Sequence, residues 1–184
     1  LGSAADALLA RAPREATGAY RFTDASPLFL RRAKRILDRR HPDRPVAYAA
    51  LDIDRPFAAA GIAPRSQALV YAVNVLHVAR DLAATLAEVR AALAPGGALV
   101  FAECVRPAPG QPLHAELPFN LLAAFRAPVL HAAWRPNGGF LTPEQWTAAL
   151  TAHGFGEVHV LPDVAAIREA YPSFVVAAIT ARPA

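Results

Sequence analysis

Cys104 is the only cysteine among 184 residues, so an internal disulfide is impossible and a zinc site built from several cysteines is excluded. Cys104 itself is expected at a strand end as a small buried side chain, the usual behaviour of a free cysteine. Long apolar runs are also lacking: the longest, such as Gln67 to Val78, are broken well before the roughly 20 residues that cross a bilayer. No basic, apolar and small-residue order marks a secretory leader. These absences lead to the expectation of a soluble, cytoplasmic protein with no membrane partner. Basic charge is in excess but not concentrated. The formal charge of +4 comes from arginines spread along the chain, without Lys/Arg runs interleaved with exposed aromatics, so nucleic acid is not an expected partner. In the densest basic stretch, Arg31 to Arg40, Leu30, Ala33, Ile36 and Leu37 share one helical face while Arg31, Arg32, Arg35 and Arg39 fall elsewhere. A solvated helix face is the expected reading, with docking to an acidic partner such as a carrier protein as the alternative. No Gly-x-Gly-x-x-Gly turn occurs, which argues against a nicotinamide-dependent oxidoreductase. Internal repeats and low-complexity linkers are lacking too.

What is present is a globular composition, 54% apolar with 18% charged, long enough for a single domain over 1–184. Strand and helix patterns alternate. A short helix is expected over Ala4 to Ala10, a strand over Ala19 to Thr23, a helix over Pro27 to Arg39 and a strand over Val46 to Leu51. Gln67 to Val73 is an apolar strand. Asp81 to Leu93 is a helix with Leu82, Leu86, Val89 and Leu93 at helical spacing, stopped by Pro95-Gly96-Gly97, and Ala98 to Ala102 is a buried strand. Such alternation builds a parallel α/β sheet with helices on both faces. Residues 106–139, rich in proline, histidine and aromatics, form an inserted cap or substrate loop with one helix near Glu116 to Phe125. Thr142-Pro143-Glu144-Gln145 then opens a helix through a capping box. The last two strands, Glu157 to Leu161 and Phe174 to Thr180, flank a helical connection over Asp163 to Ala170 and suit an antiparallel edge strand on the parallel sheet.

In an open parallel sheet the ligand crevice lies beyond the carboxyl ends of the strands. Polar residues stand there after each successive strand: Asp24, Asp52, Asn74 with His77, and Glu103. Taken singly, each is equally well a turn or helix cap. His77 and Glu103 are separated by one crossover helix and one strand, which brings them to adjacent strand ends. The alternative is a helix-start histidine and a strand-end glutamate that never touch. His41, His153 and His159 are expected in surface or packing roles. His114 and His131, in the inserted segment, could meet substrate, but no third convergent ligand for a metal is identifiable.

The segments Tyr20-Arg21-Phe22-Thr23-Asp24-Ala25-Ser26-Pro27, Leu51-Asp52-Ile53-Asp54, Ala72-Val73-Asn74-Val75-Leu76-His77 and Leu93-Ala94-Pro95-Gly96-Gly97-Ala98-Leu99-Val100 occur in this order. They resemble successive motifs of class I S-adenosylmethionine-dependent methyltransferases, most nearly the C-methyltransferase domains of polyketide synthases and their free-standing relatives. The resemblance implies a Rossmann-like sheet and S-adenosylmethionine as cofactor. It further implies that Asp24, with Ala25 beside it, binds the ribose hydroxyls, that Asp52 and the backbone of Ile53 hold the adenine, and that Asn74 lines the methionine end. By the same resemblance His77 is the base that removes an α-proton and Glu103 its orienting partner. The implied reaction moves a methyl group to a carbon of a small-molecule or carrier-protein-bound β-ketoacyl substrate, within a larger synthase. An O- or N-methyltransferase is the nearest variant, and a non-catalytic methyltransferase-like structural or docking module is the rival from another class.

Two departures accompany the likeness. The family's first strand and Gly-rich loop are expected before the first helix, where the chain instead opens Leu1-Gly2-Ser3-Ala4-Ala5-Asp6, at best the tail of that loop. Either upstream residues were removed or the domain is degenerate, and both cases deprive the strands over Ala19 to Thr23 and Gln67 to Val73 of a shared neighbour. Ala68 stands where relatives usually carry an acidic residue.

Overall fold

Strand and helix alternate along the chain as the apolar periodicity requires, but the strands divide between two sheets. The computed structural model describes residues 2–15 and 19–184, and its contacts gather into two compact units, Leu1–Gly61 and Ile62–Ala184. Leu1, first residue of the Leu1 to Asp6 opening, lies outside the described residues.

In the first unit α1 (Ser3–Arg11), β1 (Tyr20–Asp24), α2 (Pro27–Arg40) and β2 (Val46–Ala50) are followed by a short 3-10 turn, Phe57–Ala60. β1 and β2 run parallel, in register from Tyr20 opposite Val46 to Asp24 opposite Ala50. Pro27 suits the first turn of α2 because its missing N–H would be unpaired there in any case. Ala33 and Leu37, one turn apart, bury that helix against Ala5 and Leu9 of α1, with Tyr20, Phe22, Val46 and Tyr48 of the strands packed around them. The arginines of α2 stay exposed, apart from a partly buried Arg44 just beyond it whose guanidinium donates to the Ala12 carbonyl at 2.7 Å. At the helix end, Arg40 pairs with Asp6, and His41 Nε2 meets the other oxygen of Asp6 at 2.8 Å. His41, expected only to pack or face solvent, thus ties the end of α2 to α1.

The second unit carries a four-stranded sheet in the order β3-β4-β6-β5, built from β3 (Gln67–Val73), β4 (Leu93–Cys104), β5 (Phe155–Leu161) and β6 (Val176–Pro183). β3 and β4 are parallel and joined by α3 (Leu82–Ala92), whose Leu82, Leu86 and Val89 are buried at the expected spacing. β6 runs antiparallel to both of its neighbours. The reversed strand therefore sits one place in from the edge, and β5 occupies the edge itself. Among the described residues β1 pairs only with β2 and β3 only with β4, so the two strands expected to share a neighbour each have one partner.

Two local readings change. The strand ladder of β4 begins at Leu93 rather than Ala98, because Pro95-Gly96-Gly97 is taken up in a bulge: the register jumps from Gln67 opposite Leu93 to Leu69 opposite Ala98. Gly97 is needed there, since a Cβ would come within 2.9 Å of the carbonyl oxygens of Gln67 and Ala94. The single helix expected near Glu116 to Phe125 is two short ones, α4 (Glu116–Phe119) and α5 (Ala123–Arg126), separated by an extended Leu122. The remaining helices are α6 (Pro143–Ala152) and α7 (Val164–Ala170). The Thr142–Gln145 capping box forms in both directions, at 3.2 and 2.9 Å. Among the described residues no helix is long and apolar enough to cross a membrane.

The hydrogen bond from His41, with Arg40 beside it, holds the Asp6 carboxyl below its ordinary value of 3.8. A depressed folded value means that the stabilisation is present above the unfolded value and is lost as pH falls through the folded one. Asp6→Asn should lower the melting temperature at neutral pH, and the difference from wild type should shrink as pH falls below the ordinary value of 3.8. A melting-temperature gap that stays constant across that range would contradict this account.

Candidate active site

β4 alternates strictly, with Leu99, Phe101 and Glu103 on the buried face, so a carboxylate is carried inside at the end of an apolar row. Phe101 packs against the Trp146 ring of α6 at 5.0 Å. Glu103 is 1% exposed and needs partners, because a buried unpaired carboxylate costs several kcal/mol. Its partners come from the turn after β3.

Asn74 closes the β3–β4 ladder through its N–H to the Ala102 carbonyl at 2.8 Å, then takes φ of +52°, a left-handed conformation that asparagine tolerates better than other non-glycine residues. The chain turns sharply, and three successive amides converge on Glu103 Oε1: Val75 at 3.0 Å, Leu76 at 2.8 Å and His77 at 3.4 Å. The same turn brings His77 Nδ1 to 2.6 Å from Glu103 Oε2. Both side chains have no solvent exposure. An acceptor-only carboxylate requires the donor proton on Nδ1, which leaves the lone pair of a neutral imidazole on Nε2. Nε2 is buried without a hydrogen-bond partner.

Three phenylalanines surround the imidazole. Phe119 meets it edge-on at 4.6 Å, Phe140 is tilted at 4.7 Å, and Phe125 stands at 6.0 Å. In one continuous helix Phe119 and Phe125 would point about 120° apart. The break between α4 and α5 lets both reach the same ring. Other ties from the inserted segment are polar: the buried Arg135 donates to the carbonyls of Ala79 at 2.8 Å and His77 at 3.3 Å. Arg106 and Glu116, both buried, form a two-pronged ion pair at 2.6 and 2.8 Å. Sequence reasoning missed Arg106, Glu116, Arg135 and the three rings. The only signal was charge placed amid an apolar, proline-rich segment, and no spacing rule links those positions.

The cofactor candidates other than Asn74 lie in the first unit, on one edge of the β1–β2 pair: the Asp24 carbonyl accepts from Leu51 N–H at 3.2 Å, immediately before Asp52. One oxygen of each carboxylate caps a local turn, Asp24 taking the Ser26 amide at 2.8 Å and Asp52 the Asp54 amide at 3.0 Å. A concavity of about 200 Å³ is lined by Ala25, Leu51, Asp52, Arg55 and neighbouring alanines, with Ile53 half-buried next to it in sequence. Asn74 is exposed beside the His77 turn. His114 and His131 are exposed, His131 stacking on Trp134 at 4.5 Å, and His153 packs edge-on against the same indole. Among the described residues no three His, Cys, Asp or Glu side chains converge as a metal site.

Comparison with known proteins agrees with this architecture. The model of a family described as "Methyltransferase domain" matches residues 1–99, and the chain belongs to that family. Fumosorinone synthetase of Cordyceps fumosorosea is 36% identical over 159 residues, 82% of this chain but 4% of that protein. The crystal structure of the CurJ carbon methyltransferase superposes with a TM-score of 0.84 at 31% identity, covering all of this chain and 46% of that one. The trans-methyltransferase CalH, solved in complex with SAH, gives a TM-score of 0.70 at 30% identity over 90% of this chain and 43% of its own. The fold is that of the class I S-adenosylmethionine-dependent methyltransferases. The chain spans a few per cent of the curated relatives and about half of the solved methyltransferases it matches.

Burial raises the Cys104 thiol above its ordinary value, and the adjacent Glu103 charge adds to the effect. Cys104 should therefore be alkylated by iodoacetamide more slowly than a free cysteine at neutral pH, with the rate still climbing at pH values where that of a free cysteine has levelled off. Labelling at the rate of free cysteine would contradict that environment.

Proposed function

We propose that this protein transfers the methyl group of S-adenosylmethionine to an acidic carbon of a β-ketoacyl substrate, small or carrier-bound, as part of a polyketide-forming synthase, with His77 as the general base. The observation that carries this reading is the buried, unpartnered Nε2 of an imidazole whose other nitrogen is held by Glu103. A buried polar atom without a partner is costly, and a packing histidine would be expected to satisfy both nitrogens. Here one nitrogen remains available for a proton.

The residues of the first unit suit the cofactor's adenosine. The concavity beside Ala25 and Asp52 offers an apolar floor with a carboxylate at its edge, and a carboxylate accepts from vicinal hydroxyls or an exocyclic amine. Asp24 and Ala25 would bind the ribose, Asp52 and the backbone of Ile53 the adenine, and Asn74 the methionine end. When bound, S-adenosylmethionine supplies a methyl group already activated by its sulfonium, so the protein's task is mainly orientation. His77 Nε2 takes the proton from the carbon between two carbonyls, leaving an enolate as the nucleophile. Glu103 keeps its charge and stabilises the imidazolium, while the phenylalanines exclude water. Relatives that are reducing polyketide synthases, 33–34% identical over 74–98% of this chain, support a growing polyketide acyl chain as the substrate.

In the full-length protein, His77→Ala should leave cofactor affinity nearly unchanged and lower turnover on the order of a hundredfold or more. Glu103→Gln should cost less, because the amide oxygen still accepts from the Val75 and Leu76 amides while the charge is lost. Wild-type turnover by His77→Ala would sink the base assignment. Calorimetry tests the cofactor site separately: Asp24→Ala should weaken binding by about 1–3 kcal/mol, and unchanged affinity would remove Asp24 from it. A silent structural module would bind no cofactor at all in the full-length protein.

A further inference from the structure

We propose that Glu116 is a positioning residue for the reaction, holding the aromatic cage closed around the His77 imidazole through its buried pair with Arg106. The proposal rests on the reading of His77 as base. Arg106 leaves β4 three residues after Glu103 and is anchored by its own N–H to the Leu141 carbonyl at 3.1 Å. Glu116 opens α4, and Phe119 follows on the same helical face three residues later.

One carboxylate thus joins three stretches of chain. Glu116 Oε1 accepts from Arg106 Nε at 2.6 Å and from the Phe140 amide at 3.1 Å, while Oε2 accepts from the second guanidinium nitrogen at 2.8 Å. Two of those stretches carry the rings nearest the imidazole, Phe119 at 4.6 Å and Phe140 at 4.7 Å. Gly139, between Phe140 and its preceding turn, adopts φ of +91°, and a Cβ there would strike the Arg106 guanidinium. The geometry leaves little freedom: if the pair is lost, the amide of Phe140 loses its acceptor and α4 its tether, so both rings are released together. His77, whose side chain has no exposure, would then meet water. The base works in a dry site because a residue that never touches it holds two of its walls.

The test uses the full-length protein and two measurements, the rate at which diethyl pyrocarbonate labels His77, followed by peptide mass spectrometry, and methyl-transfer kinetics. In Glu116→Ala, labelling of His77 should become several-fold faster. Its kcat should fall about tenfold, and KM for the cofactor should stay within about twofold. Glu116→Gln, which keeps an acceptor for the Phe140 amide, should recover part of both losses. Phe119→Ala removes one wall without touching the ion pair and should reproduce the faster labelling. If Glu116→Ala does not fold, the Gln variant and Phe119→Ala decide the matter by the same measurements. A folded Glu116 variant that labels as slowly as wild type, or retains wild-type kcat, overturns the proposal. Wild-type turnover by His77→Ala would instead sink the base reading alone, because the labelling rates report the cage whatever the histidine does.

Discussion

A carboxylate sits at the end of the most buried strand of the second unit, and the structure around it is arranged to satisfy it. Glu103 follows Leu99 and Phe101 on the inward face of β4, where an isolated charge would cost more than most single contacts in a domain return. Three amides and one imidazole N–H meet it. Those amides converge only because Asn74 turns the chain through a left-handed conformation, and the imidazole arrives only because His77 lies in that same turn. The shape of the loop after β3, the tautomer of His77 and the lack of a partner at its second nitrogen are therefore consequences of placing one glutamate inside.

Polar ties also hold the inserted segment to the second unit. Its exposed face carries Leu117, Leu121 and Leu130, while its inner face contributes Phe119 and Phe125, with Phe140 just beyond it, to the surroundings of the imidazole. Apolar contacts alone specify orientation poorly, since rings slide over one another at little cost. Bidentate and backbone-directed bonds from Arg106, Glu116 and Arg135 give the cap a defined seat. Cys104, half-buried one residue beyond Glu103 and on the other face of β4, has its thiol pKa raised by burial and by the adjacent Glu103 charge.

In an open parallel sheet the ligand crevice lies beyond the carboxyl ends of the strands, and both units carry polar groups there. Asp24 and Asp52 stand on one edge of β1 and β2, and Asn74, His77 and Glu103 gather at the ends of β3 and β4. The antiparallel strand inserted between β4 and β5 supports β4 on its second side, which stiffens the strand that carries the carboxylate.

Local chemistry made much of this legible from residue order alone. Apolar spacing marked α3, the Thr142 and Gln145 pair marked the start of α6, and a polar residue after each strand marked the candidate ligand edge, because each of these depends on neighbours a few positions away. The His77 and Glu103 juxtaposition was reachable too, since a single crossover between parallel strands dictates which ends are adjacent. Other features depended on contacts that no local pattern encodes. The insertion of β6 inside the edge, the bulge at Gly97, the break between α4 and α5 and the Arg106–Glu116 pair all arise where distant segments compete for the same space. Residue order by itself determined which polar groups stand at the strand ends; the tertiary structure decided which nitrogen of His77 was left without a partner, because that depended on where a buried carboxylate found its partners.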